Sequence, residues 1–270
     1  MRFCNRTAFV TGGTQGLGAS IAIALAKAGA SLVIHGLVRD QTAEETLSTC
    51  QKYCSANDVA CHLVLGDLMR DPRESIESLC SEAVACSPSI DLLVNNAGAF
   101  IDKPFLEMDF DTYDRTMRLN VASGYFITQY FAKRWIESRT HGRVVFTGSI
   151  NGFLAEPNHT AYDASKAAVA GLVRSLCVSL APHGIRVNSM APGLIRTPLT
   201  NPVLTTDPAA LEWMKLHTPN GQVPDSDACS GTVLFLLSDF ADHIHGQTIL
   251  VDGGMSAWQQ PDLPDSLRNV

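Results

Sequence analysis

The sequence predicts an α/β fold: a doubly wound parallel sheet of about seven strands with helices on both faces. Three observations carry the prediction. Apolar, β-branched runs alternate with amphipathic stretches along the chain, the first run leads straight into a glycine-rich turn, and no repeat, low-complexity segment or linker interrupts the rhythm. Strands covered on both faces read as unbroken apolar runs, and right-handed crossovers through the intervening helices set them parallel.

Thr7-Ala8-Phe9-Val10 reads as the first strand, followed by a helix over Ile21 to Ala28. Leu32-Val33-Ile34 precedes a helix over Ala43 to Tyr53, and Leu63-Val64-Leu65 one over Ser75 to Val84. Leu92-Leu93-Val94 leads into a longer helical region in two segments, near Asp111 to Asn120 and Ser123 to Glu137. Val144-Val145-Phe146 is followed by a helix from about Ala161 to Leu180, Arg186-Val187-Asn188 by one near Ala228 to Leu237, and Thr248-Ile249-Leu250-Val251 is the last strand. Between them Pro192 to Pro224, with six prolines, reads as an insertion over the site, with a substrate lid at about 194–224.

The chain has 270 residues, 46% of them hydrophobic, which suits one domain over 1–270 with a buried core. A formal net charge of -7 without a long basic run argues against nucleic acid as the main partner. The longest apolar stretches, such as Ile21 to Ala26 and Val233 to Leu237, fall short of the roughly 20 residues that span a bilayer, so no membrane anchor is expected. Strand residues begin by Thr7, ahead of any removable export signal, and the expected compartment is the cytoplasm. Eight cysteines in such a chain read as reduced, mostly buried thiols. None has the spacing of a zinc knuckle, so no metal is expected.

Two clusters carry chemistry. Thr11-Gly12-Gly13-Thr14-Gln15-Gly16-Leu17-Gly18 follows the first strand and opens a helix. Missing β-carbons let the backbone approach a pyrophosphate, and the exposed amides of the helix start favour its charge; a purely structural glycine turn is the alternative. Its spacing, Gly-x3-Gly-x-Gly, differs from the general Gly-x-Gly-x2-Gly fingerprint. Tyr162 and Lys166 then stand one helical turn apart, thirteen residues after Ser149. Positions i and i+4 share a helix face, so the ammonium and the phenol reach the same small ligand. A free tyrosine titrates near about 10, and a neighbouring cation stabilises the phenolate that must accept a proton. Ser149 can hydrogen-bond the same substrate oxygen. Alone, the pair would be an ordinary solvated couple and Ser149 a turn residue in Gly148-Ser149-Ile150.

Together with Asp67 after the third strand, Asn95-Asn96-Ala97-Gly98 after the fourth, Asn120, and Pro192-Gly193 after the sixth, these motifs resemble the short-chain dehydrogenase/reductase family along nearly the whole chain. The resemblance implies a Rossmann-like fold and hydride transfer between a nicotinamide and a secondary alcohol or carbonyl. It makes Tyr162 the acid/base, Lys166 its pKa modulator and a ribose ligand, Ser149 the substrate orienter, and Asn120 the holder of a water linking Lys166 to solvent. It implies cofactor contacts at Gly12, Gln15, Gly16, Leu17 and Gly18, at Gly36 and Leu37, and at Asp67 and Leu68 around the adenine. Further contacts fall to Asn95, Ala97 and Gly98, and to Pro192, Gly193, Ile195 and Thr197 near the carboxamide. Asn95-Asn96 pinning adjacent strands, Asn120 marking a kink, and a plain turn at Pro192 to Thr197 are the structural alternatives.

Cofactor choice depends on the end of the second strand, where an acidic residue favours NAD and a basic one NADP. Here Gly36 and Leu37 carry neither marker and Gln15 is uncharged; the pair resembles that of NAD-using hydroxybutyrate dehydrogenases of the family. NAD is therefore preferred over NADP, with His35 and Arg39 as the groups that could meet a 2'-phosphate. Asn151, Glu156, His159 and Arg196 join Ser149 and Tyr162 as candidate substrate contacts, which suit a sugar, polyol or related hydroxy compound. Arg196 could equally pair on the surface. The alternatives are an NADP-dependent 3-oxoacyl reductase and a non-catalytic nucleotide-binding scaffold. The resemblance also implies a homotetramer, and the tail at 255–270, longer than the family core, would pack on a neighbouring subunit or stay disordered.

Overall fold

The structure, a computed structural model, describes residues 1–198, 200–201, 205 and 207–258. Its frame is a sheet of β1 (Thr7–Val10), β2 (Ser31–Gly36), β3 (Cys61–Leu65), β4 (Ile90–Asn95), β5 (Arg143–Thr147), β6 (Arg186–Pro192) and β7 (Thr248–Val251). The order is β3-β2-β1-β4-β5-β6-β7 and every pairing is parallel. The winding reverses between β1 and β4, which opens a crevice beyond their carboxyl ends, where ligands of such sheets bind.

The helices cover both faces because side chains alternate along each strand. Ala8 and Val10 of β1 pack with Ile21 and Leu25 of α1 (Gly16–Lys27), Leu47 of α2 (Gln41–Ser55) and Leu236 of α8 (Ser230–Leu237). Phe9 turns the other way, toward Leu79 of α3 (Pro72–Cys86), Phe131 of α5 (Ser123–Ser138) and Val173 of α6 (Thr160–Leu180). Each such side chain, once fully buried, contributes about 1.5–3 kcal/mol. Of the cysteines, Cys50, Cys54, Cys61, Cys80 and Cys229 are buried, and all eight are free thiols.

Three features differ from the sequence reading. The segments expected to meet at Asn120 are α4 (Phe110–Met117) and α5, joined by a single π-helical turn over Arg118–Ala122 rather than a break. Such one-residue insertions leave the helix continuous while re-aiming a side chain. The proline-rich segment after β6 contains α7 (Pro208–Leu216), whose start Asp207 caps by accepting from the Ala209 amide at 2.9 Å. Pro208 sits at the start of this helix, where a missing N–H costs nothing, so the stretch read as an insertion contains a helix. Finally, the stretch Thr160–His183 is long and apolar enough, by length and composition, to cross a membrane. Lys166 and Arg174 break it into shorter apolar runs, yet its mean hydropathy is still 1.4. In the fold this helix packs against β6. The acidic and proline residues Pro261-Asp262-Leu263 of the tail lie outside the described residues.

Candidate active site

The glycine turn is built by close approach. Gly12 has φ +60° and its β-carbon would lie 2.9 Å from Ala97 Cα; one on Gly18 would lie 2.0 Å from the Gly12 carbonyl oxygen. Only glycine fits either place. Gln15 precedes α1 without a side-chain cap, and no acidic residue occupies the first turn, so Gly16, Leu17 and Gly18 present a bare helix start. Pro198, in the segment after β6, reaches this turn, since a β-carbon on Gly16 would lie 3.0 Å from its Cδ.

Asn96, which the sequence offered only as half of a strand pin, is the hub. Its Nδ2 donates to the carbonyls of Thr11 (3.2 Å) and Gly12 (3.0 Å), and its Oδ1 accepts from Thr147 Oγ1 at 3.1 Å. Thr11 Oγ1 accepts from the amides of Asn96 and Ala97, both at 3.0 Å. Asn95 donates to Thr128 Oγ1 at 2.9 Å, a tie from β4 to α5. Gly98 stands beside the catalytic candidates: a β-carbon there would lie 3.3 Å from Asn120 Oδ1 and 3.9 Å from Lys166 Nζ.

At the end of β2, Gly36 leaves no room for a side chain, because a β-carbon would come within 2.6 Å of Thr14 Cγ2. Leu37 is exposed. The two basic candidates for a 2'-phosphate are otherwise engaged. Arg39 is paired with Glu44, while His35 is buried with Nδ1 on the Gly12 amide and Nε2 on the Gly66 carbonyl. Burial pushes the imidazole's pKa below its usual value, so it is no cation for a phosphate. Asp67 accepts from the Met69 amide at 2.9 Å and lies 3.6 Å from Arg70. The Leu68 side chain belongs to the core, so only its backbone is left to meet an adenine.

Ser149, Tyr162 and Lys166 converge at the end of β5. Ser149 begins the 3-10 turn Ile150–Gly152, accepting from the Asn151 amide at 3.1 Å, so it forms the turn as well as facing the site. Lys166 Nζ donates to the Thr147 carbonyl at 2.9 Å and lies 5.6 Å from the centre of the Tyr162 ring. Desolvation lowers the ammonium's pKa to about 8. The phenol is raised, not lowered as the sequence suggested: burial dominates, the Ser149 hydroxyl pulls partly back, and the carboxylates of Asp163 and Glu156 push further up. Lys166 stands over the Tyr162 ring while its ammonium is hydrogen-bonded to the Thr147 carbonyl, and burial dominates the phenol's acidity.

Asn120, carried on the π turn, is fully engaged: Oδ1 accepts from the Ala99 amide and Nδ2 donates to the Ala99 carbonyl, both at 2.9 Å, and to Ser165 Oγ at 3.0 Å. Both amide hydrogens are spent on protein, so a water held by this side chain has only the second lone pair of Oδ1. Ser165 Oγ donates on to the Tyr162 carbonyl at 2.7 Å.

On the substrate side, Asn151 Nδ2 donates to Asp163 Oδ1 at 2.8 Å and more weakly to Glu156 Oε1 at 3.4 Å. His159 lies 3.5 Å from Glu156 Oε2, and Phe100 meets both His159 and Tyr162 edge-on, with ring centres 4.6 and 5.1 Å apart. Asp163 and Phe100 carried no motif that would single them out. Arg196 is tied at its base: its amide donates to the Pro224 carbonyl (2.8 Å) and its Nε to the Val223 carbonyl (3.2 Å), joining the two ends of the segment between them. Pro192 pairs with Val251, the Gly193 amide donates to the Val251 carbonyl, and Ile195 is buried in the core. The Thr197 hydroxyl lies 3.3 Å from Thr200 Oγ1 in a turn of the lid.

The family described as enoyl-(acyl carrier protein) reductase matches residues 12–256. The L-rhamnose 1-dehydrogenase (NADP(+)) of Thermoplasma acidophilum is 34% identical over 94% of this chain and 97% of its own length. The 3-oxoacyl-(acyl-carrier-protein) reductase of Aquifex aeolicus is 33% identical over 93% of this chain and 97% of its own. Among solved structures, a gluconate 5-dehydrogenase from Burkholderia cenocepacia in complex with NADP and tartrate superposes with a TM-score of 0.85. It is 31% identical, over 95% of this chain and 97% of that one. With similarity in sequence and in backbone extending over nearly all of its length, the chain belongs to the short-chain dehydrogenase/reductase family.

Proposed function

We propose that this protein is an NAD(P)-dependent oxidoreductase acting on the CH–OH group of a sugar, polyol or related hydroxy compound. The observation that carries the reading is the convergence of Ser149, Tyr162 and Lys166 next to a turn that only glycines can form. The turn fits a dinucleotide: where β-carbons at Gly12 and Gly18 would collide with backbone, their absence leaves amides and a bare helix start for a pyrophosphate. Gly12, Gly16, Leu17 and Gly18 would hold it, with Ala97, Gly98 and Lys166 beside the nicotinamide half.

Bound NAD(P) supplies the carbon that takes or gives the hydride. Tyr162 exchanges the proton with the substrate oxygen, which Ser149 holds. Because burial keeps the phenol protonated near neutral pH, Tyr162 is set as an acid for carbonyl reduction and must lose its proton before alcohol oxidation. The Asn151, Glu156 and His159 cluster supplies acceptors and donors for further hydroxyls. NAD is the preferred cofactor in this reading, supported by Glu44 beside Arg39 and by the burial of His35.

The compartment proposed is the cytoplasm, which the eight free thiols support. The assembly proposed is a homotetramer. Exposed Tyr125 and Phe126 on α5 and Val178 on α6 put apolar groups on the outer faces of those helices. A second reading, reduction of 3-oxoacyl thioesters, is favoured by the Aquifex relative. A panel of aldoses, aldonates, polyols and a 3-oxoacyl thioester, each run with NAD(H) and NADP(H), tests both. Turnover of a sugar or polyol supports the first reading; turnover of the thioester alone replaces it with the second.

A further inference from the structure

One imidazole lies under the glycine turn, 3% exposed, and the chemistry of the site has no use for it. His35 grips the turn twice. Its carbonyl accepts from the Gly13 amide at 2.8 Å, and its Nδ1 accepts from the Gly12 amide at 3.1 Å. Since Nδ1 is an acceptor, the ring proton sits on Nε2, which donates to the Gly66 carbonyl at 2.9 Å. One imidazole thus links the turn after β1 to the residue before Asp67 beyond β3, and only its neutral form can make both bonds.

A protonated ring would set N–H against N–H at Gly12, and that peptide has nowhere to go. Its φ is +60°, Ala97 Cα stands 2.9 Å from where a β-carbon would be, and its carbonyl is held by Asn96 Nδ2 at 3.0 Å. We infer that His35 is a proton-sensitive positioning residue for the dinucleotide. The neutral ring holds the Gly12–Gly13 backbone in the shape that receives the pyrophosphate, and protonation releases it and weakens binding. This rests on the glycine turn being the cofactor site.

The groups facing the ring leave the effect to His35 itself. On the β1 side stands Gly12. On the β3 side stand Gly66 and Leu79, with Asp67, Arg70 and Glu74 lining the neighbouring surface cleft. Beyond β2, Arg39 is paired with Glu44. No carboxylate hydrogen-bonds the imidazole, whose two nitrogens are taken by backbone groups. A free histidine titrates near about 6.5, and burial holds this one lower, so the release begins only as pH falls below that value.

The test is calorimetric titration of the full chain with NAD and NADP from pH 8 to pH 5, folding being followed in parallel by circular dichroism. The wild type should bind evenly down to about pH 6.5 and then lose roughly five- to tenfold in affinity, the worth of about one hydrogen bond. His35→Asn, whose Oδ1 can take the Gly12 amide without titrating, should bind within about threefold of wild type at pH 8 and show no acid loss. His35→Leu should bind weakly at every pH; if it does not fold, the asparagine variant carries the comparison alone. An equal acid loss in His35→Asn overturns the inference. So does a wild-type affinity that stays level or rises on acidification, since attraction between imidazolium and pyrophosphate would then govern. Absence of binding by the wild type at pH 8 with either dinucleotide overturns the cofactor reading, and the inference with it.

Discussion

Thr147 and Asn96 are bonded side chain to side chain, Thr147 Oγ1 donating to Asn96 Oδ1 at 3.1 Å, while the carbonyl of the same threonine holds Lys166 Nζ at 2.9 Å. Asn96 in turn holds the Thr11 and Gly12 carbonyls. The lysine of the reaction centre and the turn of the cofactor site are therefore positioned by one two-residue link between the ends of β4 and β5.

Removing the link should loosen both ends together. Asn96→Ala leaves two part-buried carbonyls without this donor, at about 1–3 kcal/mol each where they stay unsatisfied. Denaturant unfolding is expected to report a loss of roughly 2 kcal/mol or more, and cofactor titration a matching loss of affinity. An unchanged midpoint and unchanged affinity would show that the link does not bear on the turn.

Two glycines offer opposite outcomes for one substitution. Gly18→Ala places a β-carbon 2.0 Å from a carbonyl oxygen and should abolish cofactor binding and lower the melting temperature. Gly171→Ala, inside α6, meets nothing nearer than an arginine terminus at 3.9 Å and should gain up to about 1 kcal/mol from helix propensity. Comparing the two melting temperatures checks whether space or backbone freedom is the requirement at each site.

Tyr162→Phe should cut turnover by about 10² to 10⁴-fold, the usual worth of a positioned acid/base, while cofactor affinity stays nearly unchanged. In the wild type, oxidation should speed up as pH rises above neutrality, because the raised pKa keeps the phenol in its acid form. Reduction should show the opposite slope. Rate profiles in the two directions that run parallel would remove Tyr162 from the proton path.

Lys166 gives a stability signature of its own. Its folded pKa of about 8 lies below the value near 10.4 of a free lysine, so the unfolded chain binds the proton more tightly and stability rises with pH between the two values. The difference in unfolding free energy between wild type and Lys166→Met should shift in favour of the wild type by an amount of order 3 kcal/mol from pH 7.5 to pH 10.5. A difference that is flat with pH would mean that the ammonium is not desolvated.

The parallel sheet was legible because most of its strands carry apolar, β-branched runs, β6 with its Arg186, Asn188 and Ser189 being the least apolar, and the glycine turn because its spacing and position are local facts. The Ser149, Tyr162 and Lys166 constellation was legible as spacing, but its electrostatics were not. Whether Lys166 faces the phenol or the Thr147 carbonyl depends on where β5 ends relative to α6. Asn96 and His35 escaped for the same reason: their partners lie 85 and 23 positions away along the chain and meet them only through the strand order. Arg196 was read by its charge alone, and its hydrogen bonds to the Val223 and Pro224 carbonyls add a structural task that spacing did not show.

That task has an evolutionary side. With Arg196 joined to Val223 and Pro224 by main-chain carbonyls, the loop's two roots are fastened to each other independently of what lies between them. The segment between them is thereby bounded by two joined ends. Grafting the corresponding loop from a relative with a different substrate should transplant selectivity while the sheet, the glycine turn and the Ser149, Tyr162 and Lys166 group keep their places.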